Sequence, residues 1–184
     1  MKKKITTEEF EVLENKIWLE FLEKATPIEI HKSLITSNFD GNSLLLNLIK
    51  NNPKTDKGTI LVAYWMSSPS YFKEFSNRED LLEKSSFSID GFDFVEEIEK
   101  KYCDGFYQCN EITFDPKSDS EDYDWTSEYD EGVVVRKIPK IMFEKINGKI
   151  EIKEYPKDFD NGLPMKPIDY AQKVYDIFEE YEVE

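Results

Sequence analysis

Residues 44–66 contain two apolar runs, Leu44-Leu45-Leu46-Asn47-Leu48-Ile49 and Ile60-Leu61-Val62-Ala63-Tyr64-Trp65-Met66. Each run follows a residue that can cap a helix, Asn42 before the first and Asp56 before the second, because a side-chain oxygen can accept from the unpaired N–H groups of a first helical turn. The first run is hydrophobic nearly all round, which predicts a helix buried at the centre of the protein. The first run is therefore the best candidate for the core, and the second run predicts another helix of a mainly helical protein.

Two further helices are predicted before these runs. Thr6 and Glu9 match a capping box, and the apolar residues after them recur at helical spacing, which predicts a helix over about residues 7–24. Pro27 suits the first turn of a second helix, which the turn-forming residues 38–41 would end. The beginning of the chain is therefore expected to be helical.

The second half of the sequence changes from helical to strand patterns. Helices are predicted for residues 77–84 and again from about residue 90. A β-hairpin is predicted near residues 140–155, because Asn147-Gly148 favours a type I′ turn, in which both central residues need positive φ. Residues 156–167, rich in proline and glycine, indicate a loop before a closing helix. The apolar stripe of that helix consists of Ala171, Val174, Tyr175, Phe178 and Tyr181.

This order predicts an α+β fold that is mainly α: an N-terminal cluster of short helices, a small hairpin and a C-terminal helix. We expect one domain over residues 1–184, with a helical part over about 1–102 and a small β part, containing an acidic loop and the closing helix, over about 103–184. The succession of short helices also leaves a stack of helical repeats open. Because no βαβ alternation occurs, a Rossmann-type nucleotide site is not expected.

The composition is strongly acidic. The chain has 39 Asp and Glu against 24 Lys and Arg, a formal net charge of −15. Such a charge repels nucleic acid and anionic membrane surfaces and attracts cationic partners. The simpler interpretation is that the charge serves solubility alone. We therefore expect no nucleic-acid partner and no membrane association, and a basic protein is the partner class that the charge favours.

The sequence predicts a soluble protein in a reducing cytoplasm. Met1-Lys2-Lys3-Lys4 is followed by polar and acidic residues where an export signal would need an apolar stretch. The longest apolar run, Ile60–Met66, is far shorter than the roughly 20 residues that span a bilayer. The two cysteines, Cys103 and Cys109, do not make a disulfide framework and match no zinc spacing.

No catalytic, cofactor-binding or metal-binding residue can be assigned from the sequence, which favours a non-enzymatic protein and leaves an enzyme as the alternative. His31 is the one histidine, it lies within a helical pattern, and no nucleophile motif accompanies it. An EF-hand loop beginning at Asp122 would place Ser127 at the position of the required glycine and Val133 at that of the bidentate acid. No cofactor is therefore expected.

Residues 115–131, here called the acidic segment, contain eight acidic residues and one lysine. Aromatic residues interleaved with this charge are typical of binding surfaces, which favours docking of a basic partner. A solvated, partly disordered loop is the alternative interpretation. The possible partner-binding residues are Asp119, Glu121, Asp122, Tyr123, Asp124, Trp125, Glu128, Tyr129 and Asp130.

A second motif lies between the two apolar runs, at Asn52-Pro53-Lys54-Thr55-Asp56-Lys57-Gly58-Thr59. With Ile28-Glu29-Ile30-His31, it gives residues 23–68 a resemblance to an uncharacterised bacterial domain family of unknown function. The resemblance implies a small helical domain without an established activity. Local chemistry suggests a structural role for the motif, since proline sets a turn, Asp56 caps a helix and glycine permits close backbone packing. The motif residues concerned are Asn52, Pro53, Asp56, Gly58 and Thr59.

Two hypotheses of function follow. The first is a bacterial protein-interaction protein of the immunity or inhibitor type, whose acidic segment binds a basic partner. The second is an enzyme or small-ligand protein that uses carboxylates, with or without a divalent metal, in a pocket. The oligomeric state is not indicated by the sequence.

Overall fold

The computed structural model describes residues 2–38, 41–119 and 121–183. Within it the chain forms two compact units. Unit 1 consists of residues 1–47 and 155–184, and unit 2 of residues 48–154. The expectation of a single domain over the whole chain stays a prediction.

The described residues confirm an α+β fold that is mainly α. The helices are α1 (Thr7–Leu22), α2 (Pro27–Thr36), α3 (Ser43–Asn51), α4 (Lys57–Met66), α5 (Pro69–Lys73), α6 (Arg78–Lys84), α7 (Ile89–Cys103) and α8 (Tyr170–Glu180), with 3-10 turns at Ser86–Ser88 and Lys140–Phe143. The strands are β1 (Lys3–Ile5), β2 (Phe159–Asp160), β3 (Leu163–Pro164) and β4 (Tyr181–Val183).

The helix starts follow the capping residues closely. Thr6 and Glu9 form the predicted capping box, with the Glu9 N–H donating to Thr6 Oγ1 at 3.2 Å and the Thr6 N–H donating to Glu9 Oε2 at 3.0 Å. Asn42 Oδ1 accepts from the Leu45 N–H at 3.1 Å, and Asp56 caps α4. The helix break predicted at residues 38–41 includes Phe39 and Asp40, which lie outside the described residues. Local capping chemistry therefore fixes where α1, α3 and α4 begin.

The prediction that the 44–49 helix is apolar on all sides and central is wrong. Only Leu45 and Ile49, one turn apart on α3, are fully buried. The all-round burial belongs instead to α4, where every residue from Gly58 to Trp65 is buried. This helix therefore forms the centre of unit 2.

Unit 1 is built on the pairing of the first and last long helices. In the contact between α1 and α8, the ring centroids of Phe10 and Phe178 are 4.6 Å apart and those of Phe21 and Tyr170 are 5.7 Å apart. Strands β1 and β4 pair in parallel, with Lys3 opposite Tyr181. The predicted closing helix is thus confirmed, and its apolar stripe faces α1 over part of its length.

The predicted hairpin near 140–155 is wrong. Its first arm begins as the 3-10 turn Lys140–Phe143. The two predicted arms do not form strands that pair with each other; instead Ile146 forms an isolated bridge to Phe114, and Ile150 forms one to Ile112. A tight antiparallel turn does occur at the other Asn-Gly dipeptide, between β2 and β3. There Asn161 has φ of 46° and Gly162 has φ of 82°, so both central residues meet the positive-φ requirement of a type I′ turn.

Gly148 serves close packing instead of a positive-φ turn. A Cβ at this position would lie 2.5 Å from the carbonyl carbons of Glu111 and Ile112, which are backbone atoms that cannot rotate away. We expect Gly148→Ala to lower the free energy of unfolding by about 1–3 kcal/mol, since the neighbouring chain must shift. Urea denaturation measures this loss.

Gly132→Ala is the matched control for that substitution. A Cβ at Gly132 would meet only the Asp130 side chain, at 3.2 Å, so we expect a change of within about 0.5 kcal/mol. Equal stability losses at Gly148 and Gly132 would contradict the packing role of Gly148.

In the described part of the chain, no helix combines the length and the apolar character needed to cross a membrane.

Candidate functional site

Asp119 organises the first half of the acidic segment. Its Oδ1 accepts the backbone N–H groups of Glu121 at 2.8 Å and Tyr123 at 3.0 Å. Its Oδ2 accepts the indole N–H of Trp125 at 2.8 Å. The Asp119 N–H also donates to the Tyr123 carbonyl at 3.1 Å. One carboxylate thus holds three donors, and the described part of this loop has a defined backbone.

Two other predicted site residues also stabilise turns of the segment. Asp124 Oδ1 accepts from the Thr126 backbone N–H at 2.9 Å and from its hydroxyl at 2.7 Å. Asp130 Oδ1 accepts from the Gly132 N–H at 2.8 Å. Such short-range bonds are typical of Asp in turns, and they explain part of the acidic composition without any partner.

The three aromatic residues of the segment divide into two groups. Tyr123 and Trp125 contact each other edge to face, with ring centroids 4.8 Å apart, and Tyr123 is 49% exposed. Tyr129 instead lies against Phe143, with centroids 5.3 Å apart, and its hydroxyl accepts from the Ile138 N–H at 3.2 Å. Tyr129 therefore anchors the end of the segment, whereas Tyr123 presents its ring to solvent.

The ion pairs of the acidic segment lie at its two ends. Asp115 is 3.6 Å from Lys145, and Glu131 is 2.7 Å from Lys137. Between them, the structure as described shows no lysine or arginine paired with the exposed acids of the middle portion, Glu121, Asp122, Asp124 and Glu128. The middle portion is therefore a negatively charged surface that the protein's own cations leave uncompensated.

The predicted motif residues at 52–59 lie elsewhere in unit 2, at the entry to α4. Asn52 accepts the Lys54 N–H with its side chain and the Thr55 N–H with its carbonyl, both at 3.0 Å. The Pro53 carbonyl accepts from the Gln108 N–H at 3.4 Å. Thr59 is buried in the first turn of α4. These contacts form a turn and attach the chain after α7 to it.

Asp56 joins α4 to residues 109–112. It is 1% exposed, and its Oδ1 accepts the N–H groups of Gly58 at 2.8 Å and Ile112 at 3.3 Å. Its Oδ2 accepts the Glu111 N–H at 2.6 Å and the Cys109 thiol at 3.2 Å. A Cβ on Gly58 would lie 2.5 Å from the Ile112 carbonyl oxygen, so glycine permits this approach. All four acceptor contacts of Asp56 go to the protein itself, which is a structural role.

A buried ionic network that could not be predicted from the sequence lies beside α4. Lys73 is 2% exposed and its ammonium donates to Glu96 at 2.6 Å and to Glu99 at 2.7 Å. The Tyr64 hydroxyl donates to the other oxygen of Glu99. Glu96 and Glu99 lie one turn apart on α7, but Lys73 and Tyr64 are distant in sequence. No local pattern therefore links the four residues.

Arg136 extends this network to the chain that follows the acidic segment. Its guanidinium donates to Glu96 Oε2 at 2.7 Å, to the Phe75 carbonyl at 2.7 Å and to the Phe72 carbonyl at 2.9 Å. The backbone N–H of Arg136 also donates to the Lys73 carbonyl at 3.1 Å. The network thus holds the C-terminal side of the acidic segment on α5 and α7.

Burial and pairing act against each other on the two carboxylates. Burial raises the pKa of Glu99 above its ordinary value, although Lys73 and Tyr64 act to lower it. Burial also acts to raise the pKa of Glu96, but hydrogen bonds from Lys73 and Arg136 bring it below the ordinary value. Burial and the nearby Glu99 raise the pKa of Tyr64 well above its usual range. Each of these groups is satisfied by a protein partner, which indicates a structural network.

The described residues contain no cluster of side chains suited to binding a metal ion. No three His, Cys, Asp or Glu side chains of those residues are grouped as metal ligands. His31 is buried on α2, in unit 1. Cys103 and Cys109 are free thiols, and the second donates to Asp56.

Comparison with known proteins gives one result. No curated protein matches the chain, and no solved structure does. The predicted resemblance of residues 23–68 to a family of unknown function is confirmed at the level of the domain, which extends to the end of α7. A domain of unknown function, DUF4274, spans residues 25–103 of this chain.

Proposed function

We propose that the protein is a non-enzymatic interaction protein that binds a basic partner protein through the acidic segment. The observation that carries the proposal is the exposed middle portion, where Glu121, Asp122, Asp124 and Glu128 have no cationic partner among the described residues. Tyr123, half exposed, lies among these acids. An aromatic ring within uncompensated charge offers both an anchor and electrostatic attraction to a cationic surface.

The internal bonds of the segment support this proposal. Because Asp119 fixes the backbone around Tyr123 and Trp125, less conformational entropy is lost when a partner binds. The Arg136 contacts hold the far end of the segment on unit 2 in the same way. A solvated linker would need neither set of bonds.

The net charge of −15 extends the attraction beyond the contact itself. A field of this size accelerates the approach of a cationic protein, and salt screens it over about 8–10 Å. A bacterial immunity or inhibitor protein that neutralises a cationic toxin needs these properties, and we assign this protein to that class, in the cytoplasm.

Neutralising the middle portion tests the proposal. The variant Glu121→Gln, Asp122→Asn, Asp124→Asn and Glu128→Gln keeps the side-chain shapes and leaves Asp119 in place. The tagged protein is used to capture its partner from source lysate at low and moderate salt, with mass spectrometry as the readout. We expect wild type to retain a basic protein in stoichiometric amount. For the variant, we expect the association rate constant with that protein to be at least about tenfold lower.

The matched control removes the same number of charges elsewhere. Glu23, Glu83, Glu154 and Glu179 are exposed, and each is replaced by glutamine. We expect the control variant to associate at close to the wild-type rate. Equal rates for the two variants, or capture that does not depend on salt, would contradict a role for the acidic segment.

A further inference from the structure

A cavity of about 270 Å³ lies in unit 1 between α1 and α8, beside the β2–β3 turn. Among the described residues, the aromatic side chains in its walls are Trp18 from α1 and Tyr175 and Phe178 from α8. Tyr175 is 42% exposed and Phe178 is 50% exposed, so the fold leaves much of both rings uncovered. This volume is slightly below the usual range of ligand pockets, roughly 300–1,000 Å³, and suits one small group.

The described lining also includes two carboxylates, Glu14 and Asp160. Glu14 lies one helical turn before Trp18 on α1, so the two side chains share one face of that helix. Asp160 accepts from the Tyr175 hydroxyl at 2.7 Å, and the Asn161 amide donates to the same hydroxyl at 3.2 Å. Asp160 is thus oriented by neighbours that also line the cavity, and Glu14 lies next to Trp18 in its wall.

No lysine or arginine in the described ranges lines the cavity. The nearby cations bind elsewhere: Lys173 donates to Glu20 at 3.1 Å, and Lys2 donates to the Phe178 backbone carbonyl at 2.7 Å. Burial raises the pKa of Glu14 above its ordinary value, although its hydrogen bond with Trp18 acts to lower it. A cation bound in the cavity would favour the ionised Glu14 carboxylate and so offset the effect of burial on its pKa.

We propose that this cavity binds an ammonium or guanidinium group on a short alkyl chain, held by the Glu14 and Asp160 carboxylates between the Trp18, Tyr175 and Phe178 rings. Carboxylates supply charge-assisted hydrogen bonds, and aromatic faces attract a cation through their quadrupole. Neither contribution favours an anion or a neutral polar group. The site is separate from the acidic segment and does not rest on the function proposed for it.

The test follows the Trp18 indole N–H signal in nuclear magnetic resonance spectra, assigned with Trp18→Phe. The probes are pentylammonium, N-acetyl-lysine methylamide and N-acetyl-arginine methylamide, with N-acetyl-norleucine methylamide as the neutral analogue. We expect saturable shifts with a cationic probe and none with the norleucine compound at equal concentration. Binding of pentylammonium assigns the site to free amines, and binding of the capped amino acids alone assigns it to basic side chains of a protein.

Two substitutions separate the carboxylate from the aromatic contribution. Glu14→Gln keeps the shape of the side chain, and Phe178→Leu keeps an apolar contact to Phe10 but removes the ring. We expect each to weaken binding of the cationic probe by about tenfold or more. Glu179→Gln, an exposed acid of α8 outside the cavity, is the control and should leave affinity unchanged. Equal affinity for the neutral analogue, or an equal effect of Glu14→Gln and Glu179→Gln, would overturn the proposal.

Discussion

Replacing Lys73 by methionine is expected to lower the free energy of unfolding by about 3–5 kcal/mol, as found when one partner of a buried ion pair is removed. Lys73 is 2% exposed and bridges Glu96 and Glu99, so its loss leaves Glu99 buried with the Tyr64 hydroxyl as its remaining polar contact in the network. Methionine matches the alkyl stem in length, which limits any loss of packing. Urea denaturation at neutral pH measures the change.

A double-mutant cycle separates the ion pair from packing. If the cost is an uncompensated charge on Glu99, then Glu99→Gln in the Lys73→Met background recovers part of the lost stability, since the neutral amide needs no cation. Additive losses in the double variant would contradict a coupling between the two side chains.

The pH dependence of the Lys73→Met loss gives a second check. Burial already raises the pKa of Glu99, and removing the ammonium raises it further. A carboxyl whose pKa is higher in the folded than in the unfolded state has no effect on stability at a pH below both pKa values, where both states are protonated. It destabilises the folded state increasingly as pH rises above the unfolded-state pKa. The stability difference between wild type and Lys73→Met should therefore be smaller at pH 5 than at pH 7.

Helix starts could be predicted from sequence because each depends on residues only two or three apart. The Thr6–Glu9 pair, Asn42 and Asp56 all cap the helices that were expected from them. The burial of the helices depends on distant contacts and could not be predicted so well. The 44–49 run is apolar on nearly every side, yet only one face of α3 is buried, because α4 is the helix that the rest of unit 2 surrounds.

The wrong prediction of a hairpin near residues 140–155 shows that turn-forming residues alone do not determine which segments pair. Asn-Gly occurs twice, and the alternating residues after Asn147-Gly148 made that copy the better hairpin candidate. The structure instead brings residues 112–114 to residues 146 and 150, and Gly148 is needed for that close approach. The second copy, Asn161-Gly162, joins strands of two residues each, which are too short to give an alternating pattern.

The candidate sites also differ in how much of them could be predicted from the sequence. Acidic and aromatic residues in the acidic segment are visible in the composition, but the division between turn-forming acids and exposed acids is not. Asp119 and Glu121 look alike in the sequence, yet Asp119 holds three donors and Glu121 is exposed. The cavity between α1 and α8 joins Glu14 to Asp160, and no local motif connects residues so far apart.

Asp56→Ala should cost about 3–5 kcal/mol of stability, since it combines the loss of a helix cap with two buried or half-buried backbone N–H groups left without an acceptor. Those two groups belong to Glu111 and Ile112. The Lys57 N–H still donates to the Cys109 carbonyl at 2.8 Å in this variant, so we expect a folded but weaker unit 2. Urea denaturation gives the magnitude, and amide hydrogen exchange should show faster exchange at Glu111 and Ile112.

Two variants separate the structural interpretation of Asp56 from ligand binding. Asp56→Asn keeps an acceptor at one oxygen but turns the other into a donor facing the Glu111 N–H, so its loss should be smaller, about 1–3 kcal/mol. Gly58→Ala removes no hydrogen bond, yet its Cβ would lie 2.5 Å from the Ile112 carbonyl oxygen and should loosen the same contact. If the motif joins α4 to residues 109–112, both variants must speed exchange at the Ile112 amide. Unchanged exchange there, with normal stability, would instead point to a role for Asp56 and Gly58 outside the fold.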